Sequence, residues 1–222
     1  MRVVQPAGSR GSLRAIQRLA NDGRAPLDAH VSAARGRPTR LAWLSPRDDD
    51  DFAEYRDAAF LTLIGRPDLD AARKAFWPAR GPQWDALARD EGGALYLVEA
   101  KAHVDEMLSP ATAAGGASRA MIEAALARTA ETLGARPSAP WSQCFYQLAN
   151  RFAWTLFLRE NGVDAKLLLV NVVGDAGMAG PSSPEAWEAA YRVAFHVMGL
   201  PKRHALSAHL IETFPTMAEI EA

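Results

Sequence analysis

The stretch Ala94 to Lys101, ALYLVEAK, constrains this chain more than any other. Read with period two, Leu95, Leu97, Glu99 and Lys101 fall on one face and Ala94, Tyr96, Val98 and Ala100 on the other. Apolar residues on both faces mark a strand from the middle of a sheet, covered on both sides. An acid and a base at the end of such a strand are costly to remove from water unless they are paired or bound to an ion. The preceding segment, Gln83 to Arg89, also reads as a strand, with Asp85 and Leu87 on one face. Asp90-Glu91-Gly92-Gly93 between the two is a turn signal, so the pair reads as a hairpin.

Register decides whether the charges meet. Residues directly opposite in an antiparallel pair share a face, with Cβ atoms roughly 4.5–5.5 Å apart. A three-residue loop, Glu91 to Gly93, sets Asp90 opposite Ala94 and Asp85 opposite Glu99. A symmetric two-residue loop would put the two acids on opposite faces. The expectation is an odd loop or a compensating bulge. Two carboxylates that close repel unless a cation lies between them, and oxygen-only donors favour Mg²⁺ or Mn²⁺ over zinc. Lys101 reaches the same pocket, where its ammonium can orient an attacking water or offset charge on phosphorus. The plainer alternative is a surface salt bridge at the end of a hairpin.

Asp85 followed fourteen positions on by Glu99-Ala100-Lys101 resembles the PD-(D/E)XK, or restriction-endonuclease-like, superfamily. The segments GSRGSLRAIQ, FAEYRD, GPQWDAL, LVEAKAH and FYQLANR together resemble an uncharacterised bacterial branch of it. The resemblance implies an α/β fold with a mixed central sheet flanked by helices, and metal-dependent cleavage of DNA. It implies that Asp85 and Glu99 are metal ligands and that Lys101 acts near the water. An acid from the first helix often joins such sites, and FAEYRD points to Glu54, with Asp57 as the substitute. A glutamine on the helix after the Glu-X-Lys strand contacts the site, which points to Gln147; a structural hydrogen bond to a neighbouring strand explains that residue equally well. Trp84 stands where many members have proline.

At 222 residues, about half of them hydrophobic, the chain can bury a sizeable core as one domain or as one domain with an arm. No apolar run approaches the ~20 residues needed to span a bilayer, and the start of the chain has no continuous apolar segment of signal-peptide type. The single cysteine, Cys144, excludes an internal disulfide, which fits a reducing cytoplasm. It reads as a small buried hydrophobe rather than a nucleophile. The net charge of −1 argues mildly against strong nucleic-acid binding. However, residues 1–40 hold eight arginines, Arg24 among them, against two aspartates. We therefore divide the chain into a basic arm and helix over residues 1–40 and an α/β domain over residues 41–222. The basic first fifth suits contact with phosphate; a solvated arginine-rich surface accounts for it as well.

Along the chain, Ser12 can cap a helix through Leu13, Ile16 and Leu19. The amides at that helix start, with Arg10 and Arg14, can hold a phosphate. Residues 21–40 read as partly helical or loop. Leu41 to Leu44 reads as an edge strand, which would make a homodimer reasonable. The acids Asp48 to Asp51 read as the negative start of a helix that continues through Phe52, Tyr55 and Leu63 and carries Glu54. Further helices are expected over 67–77, 118–133, 141–160 and 184–200. Strands are expected over 165–173 and 204–214, followed by a frayed tail. His103 and Glu106 are minor candidates near the site. His196, His204 and His209 lack a zinc spacing. The expected function is a Mg²⁺- or Mn²⁺-dependent nuclease acting on DNA. The alternative is a non-catalytic nucleic-acid-binding or assembly module on the same fold. Hydrolysis of a small phosphorylated metabolite lacks the glycine-rich cradle it would need.

Overall fold

The computed structural model describes residues 1–22 and 26–222; Arg24 of the basic segment lies outside them. The strands are β1 (Arg2–Val3), β2 (Leu41–Ser45), β3 (Glu54–Tyr55), β4 (Ala86–Asp90), β5 (Leu95–Lys101), β6 (Ala165–Asn171) and β7 (Leu210–Thr213). The helices are α1 (Gly11–Asn21), α2 (Pro26–Arg35), α3 (Asp57–Leu63), α4 (Asp70–Phe76), α5 (Gly116–Thr132), α6 (Tyr146–Glu160), α7 (Pro184–Val197) and α8 (Met217–Glu221). Five strands form a mixed sheet in the order β2-β4-β5-β6-β7. β2, β4 and β5 pair antiparallel, and β6 and β7 run parallel to β5. The α/β class with helices flanking a mixed sheet is therefore as expected, and Leu41 to Leu44 does lie in an edge strand.

One turn sets the register. The Asp90 carboxylate accepts from the Gly92 and Ala94 amides at 3.0 and 2.9 Å, and the Gly93 amide donates to the Asp90 carbonyl at 2.9 Å. Gly93 closes the turn at φ +81°, a conformation that costs a side-chain-bearing residue. Ala86 then lies opposite Val98 and Leu87 opposite Leu97. The odd three-residue loop is present, and extending the register by one residue sets Asp85 against Glu99.

Both faces of β5 are covered, as its composition requires. On one face Leu95 and Leu97 join Leu167 and Leu169 under α5, α6 and α7. On the other, Tyr96, Val98 and Ala100 join Leu168 and Val170 under α1 and α2. The segment read as a basic arm thus contributes two helices to the second layer, with Ala15, Ile16, Leu19, Leu27 and Val31 buried. Each large apolar side chain so buried stabilises the fold by about 1.5–3 kcal/mol over its exposed state.

Several local expectations are corrected. Asp48–Asp50 makes only a 3-10 turn, because Asp51 and Phe52 adopt left-handed backbone at φ +51° and +49°. Consecutive aspartates are poor helix formers, and Arg2 draws two of them outward through Asp50 at 2.7 Å and Asp51 at 2.8 Å. Glu54 consequently sits on β3, paired with β1, and not on a helix. Ser12 is not a cap: α1 begins at Gly11 with Arg10 before it and no side-chain cap bond. Phe145, left-handed at φ +53°, separates the turn around Trp141 from α6, so the helix expected over 141–160 starts at Tyr146. The last strand is shortened to β7 by a 3-10 turn at Ser207–His209. The tail does not fray but forms α8, closed by a capping box between Thr216 and Glu219.

Candidate functional site

Three elements, β4, β5 and α6, converge where β4 begins and β5 ends. Glu99 and Lys101 extend from β5 on the face beneath α6, and the Lys101 Nζ donates to Glu99 Oε1. The side chain of Gln147, from the first turn of α6, accepts from Lys101 Nζ at 3.1 Å, while the Gln147 backbone amide donates to Ser109 Oγ at 2.8 Å. Asp85, just before β4, accepts from the Ala100 amide at 2.8 Å through Oδ2; Oδ1 makes no hydrogen bond among the described residues. One turn along α6 from Gln147, Arg151 donates from Nε to Glu99 Oε2 at 2.5 Å. Its Nη2 donates to the Gln83 carbonyl at 2.8 Å, and its Nη1 to Asn150 Oδ1 at 3.1 Å. The guanidinium lies 4.7 Å from the centre of the Trp84 ring. Glu99 and Arg151 are 2% and 3% exposed, so this is a desolvated charge cluster and not a surface salt bridge.

The charges divide unequally. Burial alone would push the Glu99 carboxyl up, but Arg151 and Lys101 outweigh it and hold Glu99 below its ordinary value. Asp85 retains some exposed surface, yet its carboxyl is enclosed by protein atoms. Burial first and the Glu99 charge second push it up to about 7, against the pull of Lys101 and Arg151. Burial opposes the charge on Lys101, while Glu99 and Asp85 raise its pKa above the ordinary ammonium value, so the lysine stays cationic. Two neighbouring carboxyls pushed in opposite directions are a recurrent mark of functional sites, although structural networks produce it too.

Of the other residues singled out from the sequence, Glu54 joins the cluster electrostatically. It is buried, accepts from Gln83 at 2.5 Å and Gln5 at 3.1 Å, and burial raises its pKa while Glu99 adds to the effect. Asp57 does not join: its carboxylate accepts from the Gly81 and Arg80 amides at 2.9 and 3.2 Å and holds the loop that leads into β4. His103 and Glu106 pair with each other at 3.2 Å beyond the end of β5. Arg10, Ser12 and Arg14 are not beside the carboxylates. Their helix covers the opposite face of the sheet, Gly11 faces Met178 in the loop after β6, and Arg14 is tied to Glu221 at 2.8 Å. His196 and His204 line one groove together with Glu212, but among the described residues they form no group of three placed to hold a metal ion. Cys144 is half-buried and packs against the core.

Arg151 is the group that sequence reasoning passed over. Gln143, Gln147, Asn150 and Arg151 are the polar residues spaced along one side of the otherwise apolar stretch 141–160, but nothing in that spacing tells which of them meets which strand. Asn171 is a second omission. It lies beside Lys101 in the parallel register, accepts from Tyr191 Oη at 3.0 Å, and its buried Nδ2 has no partner among the described residues. A cavity of about 10 Å³ between Glu99, Lys101, Met107, Gln147, Leu148 and Tyr191 has room for one water at most.

The donors suit a hard divalent cation. Asp85 offers an oxygen without a hydrogen bond, and each Glu99 oxygen, with one partner, keeps a lone pair. Mg²⁺ is commonly held through one or two carboxylates, with waters and substrate phosphate completing its shell. No group of three acidic, histidine or cysteine side chains able to hold a metal ion occurs among the described residues, so two carboxylates are what the site brings. Comparison of the chain with protein-family models, with curated proteins and with solved structures gave no match.

Proposed function

We propose that this protein is a Mg²⁺- or Mn²⁺-dependent nuclease that hydrolyses phosphodiester bonds of DNA. The observation that carries the reading is the shared face of Asp85 and Glu99, with Lys101 two residues on, at one mouth of an otherwise apolar sheet. Asp85 and Glu99 would hold the cation, which when bound polarises a phosphoryl oxygen and lowers the pKa of its water. Lys101, cationic and aimed by Glu99 and Gln147, would hold the attacking water or offset charge gathering on phosphorus. Arg151 fixes the Glu99 carboxylate, and Trp84 and the Gln83 carbonyl fix Arg151. Glu54 lies close enough to add to the negative field. DNA, an edge-to-edge homodimer through β2 and a cytoplasmic location belong to the same proposal; among the described residues no helix is long and apolar enough to cross a membrane.

One observation favours the non-catalytic alternative, a nucleic-acid-binding or assembly module. Both Glu99 oxygens already have cationic partners, and the adjoining cavity is small. The two readings separate in an assay of plasmid and oligonucleotide cleavage with Mg²⁺ or Mn²⁺. The nuclease reading expects cleavage that requires the cation and is lost in both Asp85→Ala and Lys101→Ala. Salt-sensitive retention of DNA without turnover supports the alternative, and cleavage that persists in both variants rules out this mechanism.

A further inference from the structure

Arg151 sits directly on one of the two carboxylates that the proposed cation would use, its Nε donating to Glu99 Oε2 at 2.5 Å. Its charge is permanent, since guanidinium does not lose its proton in proteins. Its position is fixed by Glu99, the Gln83 carbonyl, Asn150 and the Trp84 ring, so it has no ready place to withdraw to. With Lys101 it sets two positive charges against at most three acids, Asp85, Glu99 and Glu54. A divalent cation arriving there meets two cations already seated on one of its two ligands. An incoming phosphodiester brings the missing negative charge.

Resting on the nuclease reading above, we infer that Arg151 makes divalent-cation binding conditional on the phosphodiester: the free protein binds the cation weakly, and cation and DNA load together. Glu99 is then kept charged and immobile by Arg151 while the site is idle, at the cost of affinity for the free ion. Binding linkage is reciprocal, so DNA must gain from the cation what the cation gains from DNA.

The test is Mn²⁺ titration of the full chain, with free Mn²⁺ read by its paramagnetic resonance signal. It is run alone and with a non-hydrolysable phosphorothioate duplex, on the wild type, Arg151→Gln and Arg151→Lys. In the wild type the duplex should tighten Mn²⁺ binding roughly 5- to 150-fold, the usual size of coupling between two sites. Arg151→Gln should bind Mn²⁺ more tightly than wild type without DNA and lose most of the coupling, while Arg151→Lys, which keeps the charge, retains it. Equal Mn²⁺ affinity of the wild type with and without the duplex overturns the inference without recourse to a variant. Undiminished coupling in Arg151→Gln overturns it too. In either case a bound Mn²⁺ leaves the nuclease reading standing, whereas no Mn²⁺ binding in any arm removes both.

Discussion

Replacing Arg151 with Met should be among the most damaging single changes in the protein. The side chain is 3% exposed and makes three hydrogen bonds, to Glu99 at 2.5 Å, the Gln83 carbonyl at 2.8 Å and Asn150 at 3.1 Å. Hydrogen bonds to charged groups contribute about 1.5–3 kcal/mol each, and a desolvated cation over a tryptophan about 2 kcal/mol. These do not add, because they share one side chain. The better guide is the cost of removing one partner from a buried ion pair, about 3–5 kcal/mol, most of it from the charge left behind. Glu99 would retain only Lys101. Against a total stability of about 5–15 kcal/mol for a domain, that loss is large. Replacing both partners, Glu99→Leu with Arg151→Met, removes the orphaned carboxylate but takes from the buried Lys101 its Glu99 partner, so it should cost less than the sum of the two single changes without restoring wild-type stability. Urea unfolding of the four proteins, analysed as a double-mutant cycle, measures this. An Arg151→Met variant within about 1 kcal/mol of wild type, or strictly additive losses, would refute the reasoning from charge burial.

Other outcomes follow from the same geometry. The Asp85 carboxyl is pushed up to about 7, above an unfolded value of about 3.9, so the folded protein holds a proton that the unfolded chain releases between them. Stability should therefore fall as pH rises through that window and level off above it, and Asp85→Asn should flatten this part of the pH–stability curve. Gly93→Ala meets open space but must adopt φ +81°, so it should cost about 1–2 kcal/mol through backbone strain alone, read by urea unfolding. Tyr191→Phe removes the one described partner of the Asn171 amide group; leaving a buried polar group unmade costs about 1–3 kcal/mol, which a thermal melt should register as a lower Tm.

How much of this was legible in the sequence depends on whether the deciding contact was local. The pairing of Asp85 with Glu99 could be read because a short turn fixes it: the Asp90 side chain and the positive φ of Gly93 act within five residues, and period two carries the register outward. Gln147 was pointed to by the resemblance, through a glutamine on the helix after the Glu-X-Lys strand, and it does meet Lys101. Arg151, one turn further along the same helix, could not be chosen from spacing, because its partner is set by how α6 lies across the sheet. Glu54 was named, but on a helix, since its strand exists only through pairing with β1 and through the grip of Arg2 on the aspartates. Arg10 and Arg14 read as placed to hold a phosphate, yet Arg14 finds Glu221 at the far end of the chain. The capping box of α8 was visible as Thr216 followed by Glu219 and was overlooked among the terminal residues.

The most direct test of the central claim is crystallographic. Crystals grown with Mn²⁺ and a phosphorothioate duplex, measured for the anomalous scattering of manganese, should show a peak in contact with the carboxylates of both Asp85 and Glu99. A peak elsewhere with these two carboxylates bare, or the duplex bound with no manganese between them, would contradict the account.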